Sequence, residues 1–307
     1  MRNSNSIKHL RREDIDPARW NACINGASNS LIYAGSIYLD HLATHWDALV
    51  EGDYRCVMPL TWNSKWGIRY LHQPPFTQQL GVFSAAGLSP ESTGQFLAEA
   101  GKRFRFAEIA LNYGNPYPGC NSRSNYILSL NLSYSELASG YKKDLVKNLQ
   151  KAGHHALNYV RQFDLAQALA LYRLTYQSRL EQIAGSDFDG FEKLCFALQE
   201  QGAVIVRASR DSQGNPIATA LLLRHSKRIY LLQSTTPIEG RRLEANHFLI
   251  DQVIREFAGQ DLILDFEGSQ NPGIAHFYAN FGAVNQPYWF YRRNRLPWPI
   301  RLLKKRD

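Results

Sequence analysis

The chain lacks the features that mark several large classes of protein. No apolar run approaches the roughly 18 residues that a membrane-spanning helix needs. The first thirty residues are polar and contain no apolar signal core. The four cysteines are widely scattered and show no metal-ligand spacing: Cys23, Cys56, Cys120 and Cys195. We therefore expect a cytoplasmic protein with reduced thiols, no bound metal and no transmembrane segment.

Composition and charge restrict the remaining classes. A hydrophobic content of 44% and a charged content of 20% are ordinary for a globular protein and exclude extended disorder. The length of 307 residues exceeds what one hydrophobic core usually serves, so two domains are expected. The formal charge of +8 favours anionic partners: phosphate-bearing cofactors, nucleotide-linked substrates or RNA. The charge does not choose among these, and no RNA-binding motif is recognisable.

The clearest pattern of secondary structure lies between residues 228 and 283. The apolar run 229–232 has the length of a strand, and apolar residues at helical spacing predict a helix through 249–257. Residues 262–264 are apolar on both faces, as in a buried parallel strand. Asn271 then precedes Pro272 as the cap of a last helix. This order predicts a right-handed strand–helix–strand unit followed by one more helix.

Polar residues follow both strands of this unit. In open α/β sheets, ligands bind beyond the carboxyl ends of the strands, which here carry residues 233–236 and 265–269. Asp265 and Glu267 alternate onto the same side of their strand, where a base would deprotonate an ammonium. For Glu267 the alternative is hydrogen bonding to the N-terminus of the following helix.

The order of predicted elements is the same in both halves of the chain. Each half shows a hairpin, a strand with a glutamine-bearing loop, a helix and a strand. We predict an α/β fold of mixed α+β type with two tandem domains, residues 1–133 and 134–307. Each domain would contain a mixed, mainly antiparallel sheet with flanking helices. Residues 134–152 and 164–183 carry further helical patterns at the start of the second domain.

The second half resembles the GNAT acyltransferase fold. The similarity rests on the order of elements and on the stretch from Phe277 to Gly282, which is similar to the family's tyrosine-x-x-x-glycine signature. Over residues 5–295 the chain resembles Fem-type double-GNAT proteins, which include peptidoglycan aminoacyltransferases. The supporting stretches are residues 54–59, 73–83, 141–152 and 264–269. The resemblance implies a splayed pair of parallel strands. It also implies a degenerate first half, because no tyrosine-x-x-x-glycine helix follows Asn112.

The resemblance also implies roles for individual residues. The donor carbonyl would lie between the splayed strands, with a backbone N–H of residues 232–235 as its oxyanion donor. Tyr278 would protonate the leaving group, and Glu267 or Asp265 would act as the base. For Tyr278 the alternative is a core aromatic on the helix face. The donor would contact Gln233, Ser234, Thr235, Gly240, Arg241, Arg242, Asn246 and Asn271.

The donor itself stays open between two classes. GNAT enzymes that use acyl-coenzyme A usually carry a glycine-rich pyrophosphate loop, whereas this chain has the single Gly240 followed by two arginines. Backbone N–H groups and those arginines still offer contacts to phosphate. Fem-type members that use aminoacyl-tRNA also lack the loop. We expect N-acyl transfer from acyl-coenzyme A or aminoacyl-tRNA to a small-molecule or nucleotide-linked amine, such as a peptidoglycan precursor, with no DNA partner. A non-catalytic module that binds an acyl nucleotide is the third alternative.

Acceptor binding is expected in two places. In the Fem-type comparison the acceptor would contact the loop of the first domain through His72, Gln73, Phe76, Gln78 and Gln79. Lys143 and Lys147 begin a stripe of like charge, continued by Lys151, that a bound anion would relieve. The alternative is a solvated helix face. The Arg- and Lys-rich tail from Arg292 to Arg306 has the same two interpretations.

Overall fold

The computed structural model describes residues 6–85, 87–176, 185–268, 270–298 and 300–301. The chain forms two compact units. The first unit is Met1–Arg123 with Pro287–Asp307, and the second unit is Ser124–Gln286. This division differs from the predicted one after residue 133, for two reasons. Tyr126–Ser129 is a strand of the second sheet, and Tyr288–Asn294 returns to the first sheet.

The elements are numbered along the chain. The strands are β1 (Ile7–Leu10), β2 (His45–Glu51), β3 (Cys56–Lys65), β4 (Ile68–His72), β5 (Phe83–Ser84), β6 (Phe106–Leu111), β7 (Asn121–Arg123), β8 (Tyr126–Ser129), β9 (Asn158–Val160), β10 (Val204–Arg210), β11 (Pro216–His225), β12 (Arg228–Thr235), β13 (Ile263–Asp265), β14 (Val284–Asn285) and β15 (Tyr288–Asn294). The α-helices are α1 (Pro17–Gly26), α2 (Ser36–Leu42), α3 (Pro90–Arg103), α4 (Tyr134–Ser139), α5 (Lys143–Gly153), α6 (Leu165–Tyr176), α7 (Gly185–Glu200), α8 (Ile238–Arg242), α9 (Ala245–Phe257) and α10 (Pro272–Asn280). Short 3-10 helices lie at Arg12–Asp14 and Ile32–Ala34.

The first unit is built on an eight-stranded mixed sheet. The strand order is β1-β2-β3-β4-β6-β15-β7, with β5 paired to β3. β4 and β6 run parallel from Tyr70–Phe106 to His72–Glu108 and then part, while the other pairings are antiparallel. Residues 73–79 leave the sheet, and the chain rejoins β6 at the bridge between Leu80 and Leu111.

The second unit repeats this plan around a seven-stranded sheet. The strand order is β14-β8-β13-β12-β11-β10-β9, in which β12 and β13 run parallel and the other pairs antiparallel. A core of leucine, isoleucine and aromatic side chains joins the sheet to α5, α9 and α10. Helix α6 contacts β11 and β12. The predicted α/β class and the mixed sheets are therefore confirmed.

The parallel strands β12 and β13 part as predicted. Their last paired residues are Tyr230 and Asp265, yet β12 continues through residues 231–235. Leu222 pairs with Leu231 while Leu221 pairs with Gln233, so Leu232 is an inserted bulge residue. A bulge bends its strand and increases the local twist, which turns the end of β12 away from β13. Pairing between the two strands therefore ends at Tyr230 and Asp265, as a slot between them requires.

Some predicted elements differ from the observed ones. The helical pattern over residues 134–152 forms two helices, because α4 ends at its cap Gly140 and the backbone N–H of Lys142 donates to the carbonyl of Asn280. The strand predicted at 229–232 extends to Thr235 as β12, and α8 follows it. The helix predicted over 164–183 is observed through Tyr176, and its remainder lies outside the described residues.

Two features are absent from the described residues. There, no helix is sufficiently long and apolar to cross a membrane. The same ranges contain no group of three or more His, Cys, Asp and Glu side chains arranged to hold a metal ion.

Candidate active site

Two neighbouring cavities lie in the second unit. The first cavity has a volume of about 420 Å³ and is lined by Tyr176, Ser234, Thr236, Arg241, Glu244, Asn246, His247, Gly273, Ile274, Phe277 and Tyr278. The second, which we call the lysine cavity, has a volume of about 470 Å³ and is lined by Asp144, Lys147, Asn148, Lys151, His247, Gly273, His276, Phe277 and Asn280. Because His247, Gly273 and Phe277 line both, the two cavities are direct neighbours.

Tyr278 reaches the first cavity from α10. The predicted cap is observed, since the Asn271 side chain accepts hydrogen bonds from the first N–H groups of the helix. The Tyr278 ring packs on Phe266 with their centroids 4.8 Å apart. Burial raises the pKa of the Tyr278 hydroxyl, and the negative charges of Glu267 and Asp265 raise it further. Tyr278 therefore stays protonated at neutral pH and can donate a proton.

Glu267 follows β13 in a backbone conformation that is unusual for its residue type. Its φ is 58°, and a non-glycine residue held there costs about 1–3 kcal/mol, which marks a constrained position. The next residue, Gly268, has φ 50°, and an added Cβ would meet the carbonyl oxygen of Ser124 at 2.2 Å. Burial raises the pKa of Tyr172 to about 12, and the nearby charges of Tyr176 and Glu267 contribute to this shift. The Glu267 carboxylate thus acts electrostatically on both Tyr172 of α6 and Tyr278 of α10.

Asp265 has a different environment from the one predicted for a base. Its side chain is fully buried and its Oδ2 accepts a hydrogen bond from Arg228 at 2.6 Å. Arg228 also donates to the side-chain oxygen of Gln286 at 3.1 Å. Asp265 Oδ1 accepts from the backbone N–H of Glu267 at 2.9 Å. These contacts give Asp265 a positioning role, in place of the predicted role as proton acceptor, because both carboxylate oxygens already hold partners.

The free end of β12 supplies polar groups. Ser234 donates from its hydroxyl to Asn246 Oδ1 at 2.7 Å, and its carbonyl accepts from the Tyr176 hydroxyl at 3.4 Å. Gln233 Nε2 and Thr236 Oγ1 are buried, and neither has a partner among the described residues. Buried polar atoms are nearly always hydrogen-bonded in native proteins, so these two atoms are candidates for contacts with a ligand. Thr235 is also buried here.

The predicted phosphate loop has mixed outcomes. An added Cβ at Gly240 would lie 1.9 Å from the carbonyl oxygen of Ile217, so this glycine is required for packing α8 on β11. Arg241 lines the first cavity, and its Nε donates to the carbonyl of Thr236 at 3.0 Å. Arg242 is exposed and is not among the residues that line either cavity.

Glu244 and His247 line the first cavity but were not among the predicted site residues. Glu244 precedes α9 with φ 54°, and its carboxylate accepts a hydrogen bond from His247 Nδ1 at 3.0 Å. His247 Nε2 lies 3.2 Å from the side-chain nitrogen of Asn148 and accepts its hydrogen bond. Burial lowers the pKa of His247, which Glu244 partly offsets. The only available signal was an acid three residues before a histidine at a predicted helix start, which is weak by itself.

The predicted acceptor loop of the first unit uses its amides internally. Gln73 accepts from Ala110 N and donates to the carbonyl of Thr77, both at 3.0 Å. Gln79 is fully buried and accepts from Tyr113 N at 3.0 Å. Its Nε2 donates to Gln78 at 2.6 Å. The structure gives Gln73 and Gln79 a role in shaping the loop.

The remaining acceptor residues are placed as follows. His72 is half-buried, with Nδ1 3.1 Å from the carbonyl of Gln73, and the Phe76 carbonyl accepts from the Tyr38 hydroxyl. Their part in binding, with that of Gln78, stays a prediction. On α5, Lys147 lines the lysine cavity, whereas Lys143 is exposed and is not among its lining residues. Lys304, Lys305 and Arg306 of the basic tail lie outside the described residues.

Comparisons with known proteins agree with this fold. Residues 141–272 match the family model of the acetyltransferase (GNAT) domain. The crystal structure of FemX is similar over 97% of this chain and 100% of that chain, with 12% identity and a TM-score of 0.67. The structure of a conserved protein of unknown function from Bacteroides thetaiotaomicron VPI-5482 is similar over 94% of this chain and 99% of that chain, with 11% identity and a TM-score of 0.59. The structure of L-PGS from Bacillus licheniformis is similar over 94% of both chains, with 10% identity and a TM-score of 0.52. A search of curated proteins finds no match.

Proposed function

We propose that this chain, whose fold is of the Fem-type tandem GNAT kind and whose residues 141–272 match the acetyltransferase (GNAT) domain model, is an acyltransferase that moves an acyl group from an activated donor to an amine. The observation that carries the proposal is the parting of β12 and β13 beyond Tyr230 and Asp265 beside the cavity that Tyr278 lines. Donor and acceptor bind together in a ternary complex, and the amine attacks the carbonyl directly.

The mechanism assigns each step to a group at the slot. A backbone N–H of residues 232–235 stabilises the developing oxyanion, a contact that is typically worth about 2.7–4 kcal/mol. Glu267 accepts the proton of the attacking amine, directly or through water, and Tyr278 donates a proton to the leaving group. Each proton transfer typically contributes about 10²–10⁴-fold. Asp265, held by Arg228, positions Glu267 through its backbone N–H.

The donor is either acyl-coenzyme A or aminoacyl-tRNA, and two observations favour the second. Gly240 serves packing, and the carboxylate of Glu244 lies at the start of α9, where coenzyme-A-dependent relatives bind pyrophosphate. In addition, the alkoxide released from an ester is far more basic than a thiolate, whose usual pKa is about 8.5, so it depends more strongly on a proton donor. A buried tyrosine of raised pKa suits the more basic leaving group. The acceptor would then be a nucleotide-linked amine.

Product formation tests the proposal. The purified protein is incubated with acetyl-coenzyme A or with charged tRNA and a panel of amines, and products are identified by mass spectrometry. We expect donor-dependent N-acylation with one donor. A thermal shift with coenzyme A but no product from either donor would support a non-catalytic acyl-nucleotide-binding module instead. Binding that falls steeply with salt and is competed by charged tRNA would identify the RNA donor.

A further inference from the structure

The lysine cavity lies next to the first cavity. The two share His247, Gly273 and Phe277, so a ligand that reaches past these side chains from the first cavity meets α5 and α10. The first cavity combines the apolar and aromatic side chains Ile274, Phe277 and Tyr278 with polar ones such as Ser234 and Arg241. The second is bordered mainly by charged and amide side chains. A ligand that contacts both cavities therefore carries polar groups along much of its length.

The charge of the lysine cavity favours an anion. Lys147 and Lys151 lie one turn apart on α5 and both line it, and like charges at this spacing repel one another. Lys151 is 3.7 Å from the carboxylate of Glu244, and Asp144 is 3.8 Å from His276. For Lys147, no carboxylate lies within ion-pair distance in the described part of the chain. Lys147 is exposed, so an anion that binds beside it replaces solvent and relieves its repulsion with Lys151.

The start of α9 is the usual alternative for such an anion. N–H groups in the first turn of a helix attract anions because they lack acceptors within the helix. Here the Glu244 carboxylate lies beside that turn, hydrogen-bonded to His247 at 3.0 Å, and makes no cap hydrogen bond to the helix. Its negative charge repels a phosphate. Arg241 is the cation of the first cavity, and the lysine cavity next to it offers Lys147 and Lys151.

We propose that the lysine cavity binds the phosphate of the acyl donor, with Lys147 as the main contact and Lys151 and His276 beside it. This inference rests on the proposed function, since it takes the ligand to be the donor. The shared chemistry is a phosphate diester or pyrophosphate next to adenosine, which coenzyme A and the 3′ end of tRNA both carry.

Calorimetric binding to the full chain tests the inference. The probes are coenzyme A, phosphate-free pantetheine, and an RNA hairpin with a single-stranded ACCA end. Lys147→Gln is compared with Lys193→Gln, which removes one charge from the exposed face of α7, away from both cavities. We expect Lys147→Gln to lower the affinity for the phosphate-bearing probe by about tenfold, which corresponds to the loss of one hydrogen bond to a charged group. Lys193→Gln should bind each probe with the affinity of the wild type. Pantetheine should bind both lysine variants equally.

The probe that responds identifies the source of the phosphate. Equal affinities of Lys147→Gln and Lys193→Gln for both phosphate-bearing probes would overturn the inference. So would tighter binding by Glu244→Gln with no effect of Lys147→Gln, because the phosphate would then lie at the start of α9. If Lys147→Gln weakens binding and no donor yields product, the phosphate site stands and the acyltransferase proposal fails. If product forms and Lys147→Gln leaves the donor KM unchanged, the acyltransferase proposal stands and the phosphate site fails. Melting temperatures confirm that each variant is folded.

Discussion

The side-chain oxygen of Gln73 accepts a hydrogen bond from the backbone N–H of Ala110 at 3.0 Å. This bond lies just beyond the point where β4 and β6 part, so in the first unit the protein's own side chain spans the gap between the parallel strands. In the second unit β12 and β13 part in the same way, but the end of β12 borders a cavity. The difference supports a single acyl-transfer site in the second unit.

Replacing Tyr278 by phenylalanine tests the proton donor. The ring contact with Phe266 is kept and only the hydroxyl is lost. We expect kcat to fall at least tenfold, the lower part of the range for general acid catalysis, with the donor KM and melting temperature little changed. Steady-state kinetics with the active donor measure this. Tyr113→Phe, which loses one hydroxyl contact to the Ser28 carbonyl in the first unit, is the control. An unchanged kcat would remove Tyr278 from the mechanism.

Glu267 and Asp265 are separated by two matched amide substitutions. Glu267→Gln should lower kcat by about 10²-fold or more with little loss of stability, because the side chain is removed as a base but keeps its size. Asp265→Asn should cost about 3–5 kcal/mol of unfolding free energy, because Arg228 is left buried with an uncompensated charge. Urea unfolding and kinetics of both variants make the comparison. Full stability in Asp265→Asn would contradict its positioning role.

Gly240→Ala tests whether this glycine serves packing. The added methyl group would lie 1.9 Å from the Ile217 carbonyl oxygen, so α8 must move away from β11. We expect a loss of about 1–3 kcal/mol in the unfolding free energy. Gly153→Ala, at the end of α5, meets nothing within 4 Å and should be neutral or slightly stabilising. If Gly240→Ala unfolds like wild type but loses donor affinity, the glycine instead serves close approach of a phosphate.

Glu256 makes the stability of the second unit depend on pH. Burial raises its pKa, but hydrogen bonds from Arg207 and Tyr159 lower it by more, so the folded-state pKa is below the unfolded value. The stabilisation is therefore present above the unfolded pKa, near about 4.3, and is lost as pH falls through the folded pKa. Thermal unfolding between neutral pH and about pH 3 should show a steeper fall in wild type than in Glu256→Gln. Glu200→Gln, on the exposed end of α7, should retain the wild-type profile.

The sequence predicted most local structure and the order of elements. Apolar runs and helical spacing located β12, α9, β13 and α10, and Asn271 with Pro272 marked the start of α10 correctly. These signals act between residues close in the chain, so they are readable without a partner. The fold class followed, because a strand–helix–strand unit has few stable arrangements. The parting of the parallel strands was implied by the resemblance to the GNAT fold.

Tertiary structure decided the rest of the fold and the roles at the site. β15 joins the first unit by pairing with β6, which lies far away in the chain, so no local pattern marked it. The carboxylates of Asp265 and Glu267 are alike in sequence, and only the buried Arg228 separates a positioning role from a catalytic one. Likewise Glu244 and His247 gain meaning when α5 brings Asn148 and Lys151 beside them. Burial and long-range pairing set the charge and hydrogen bonding of a side chain, and both are properties of the folded chain.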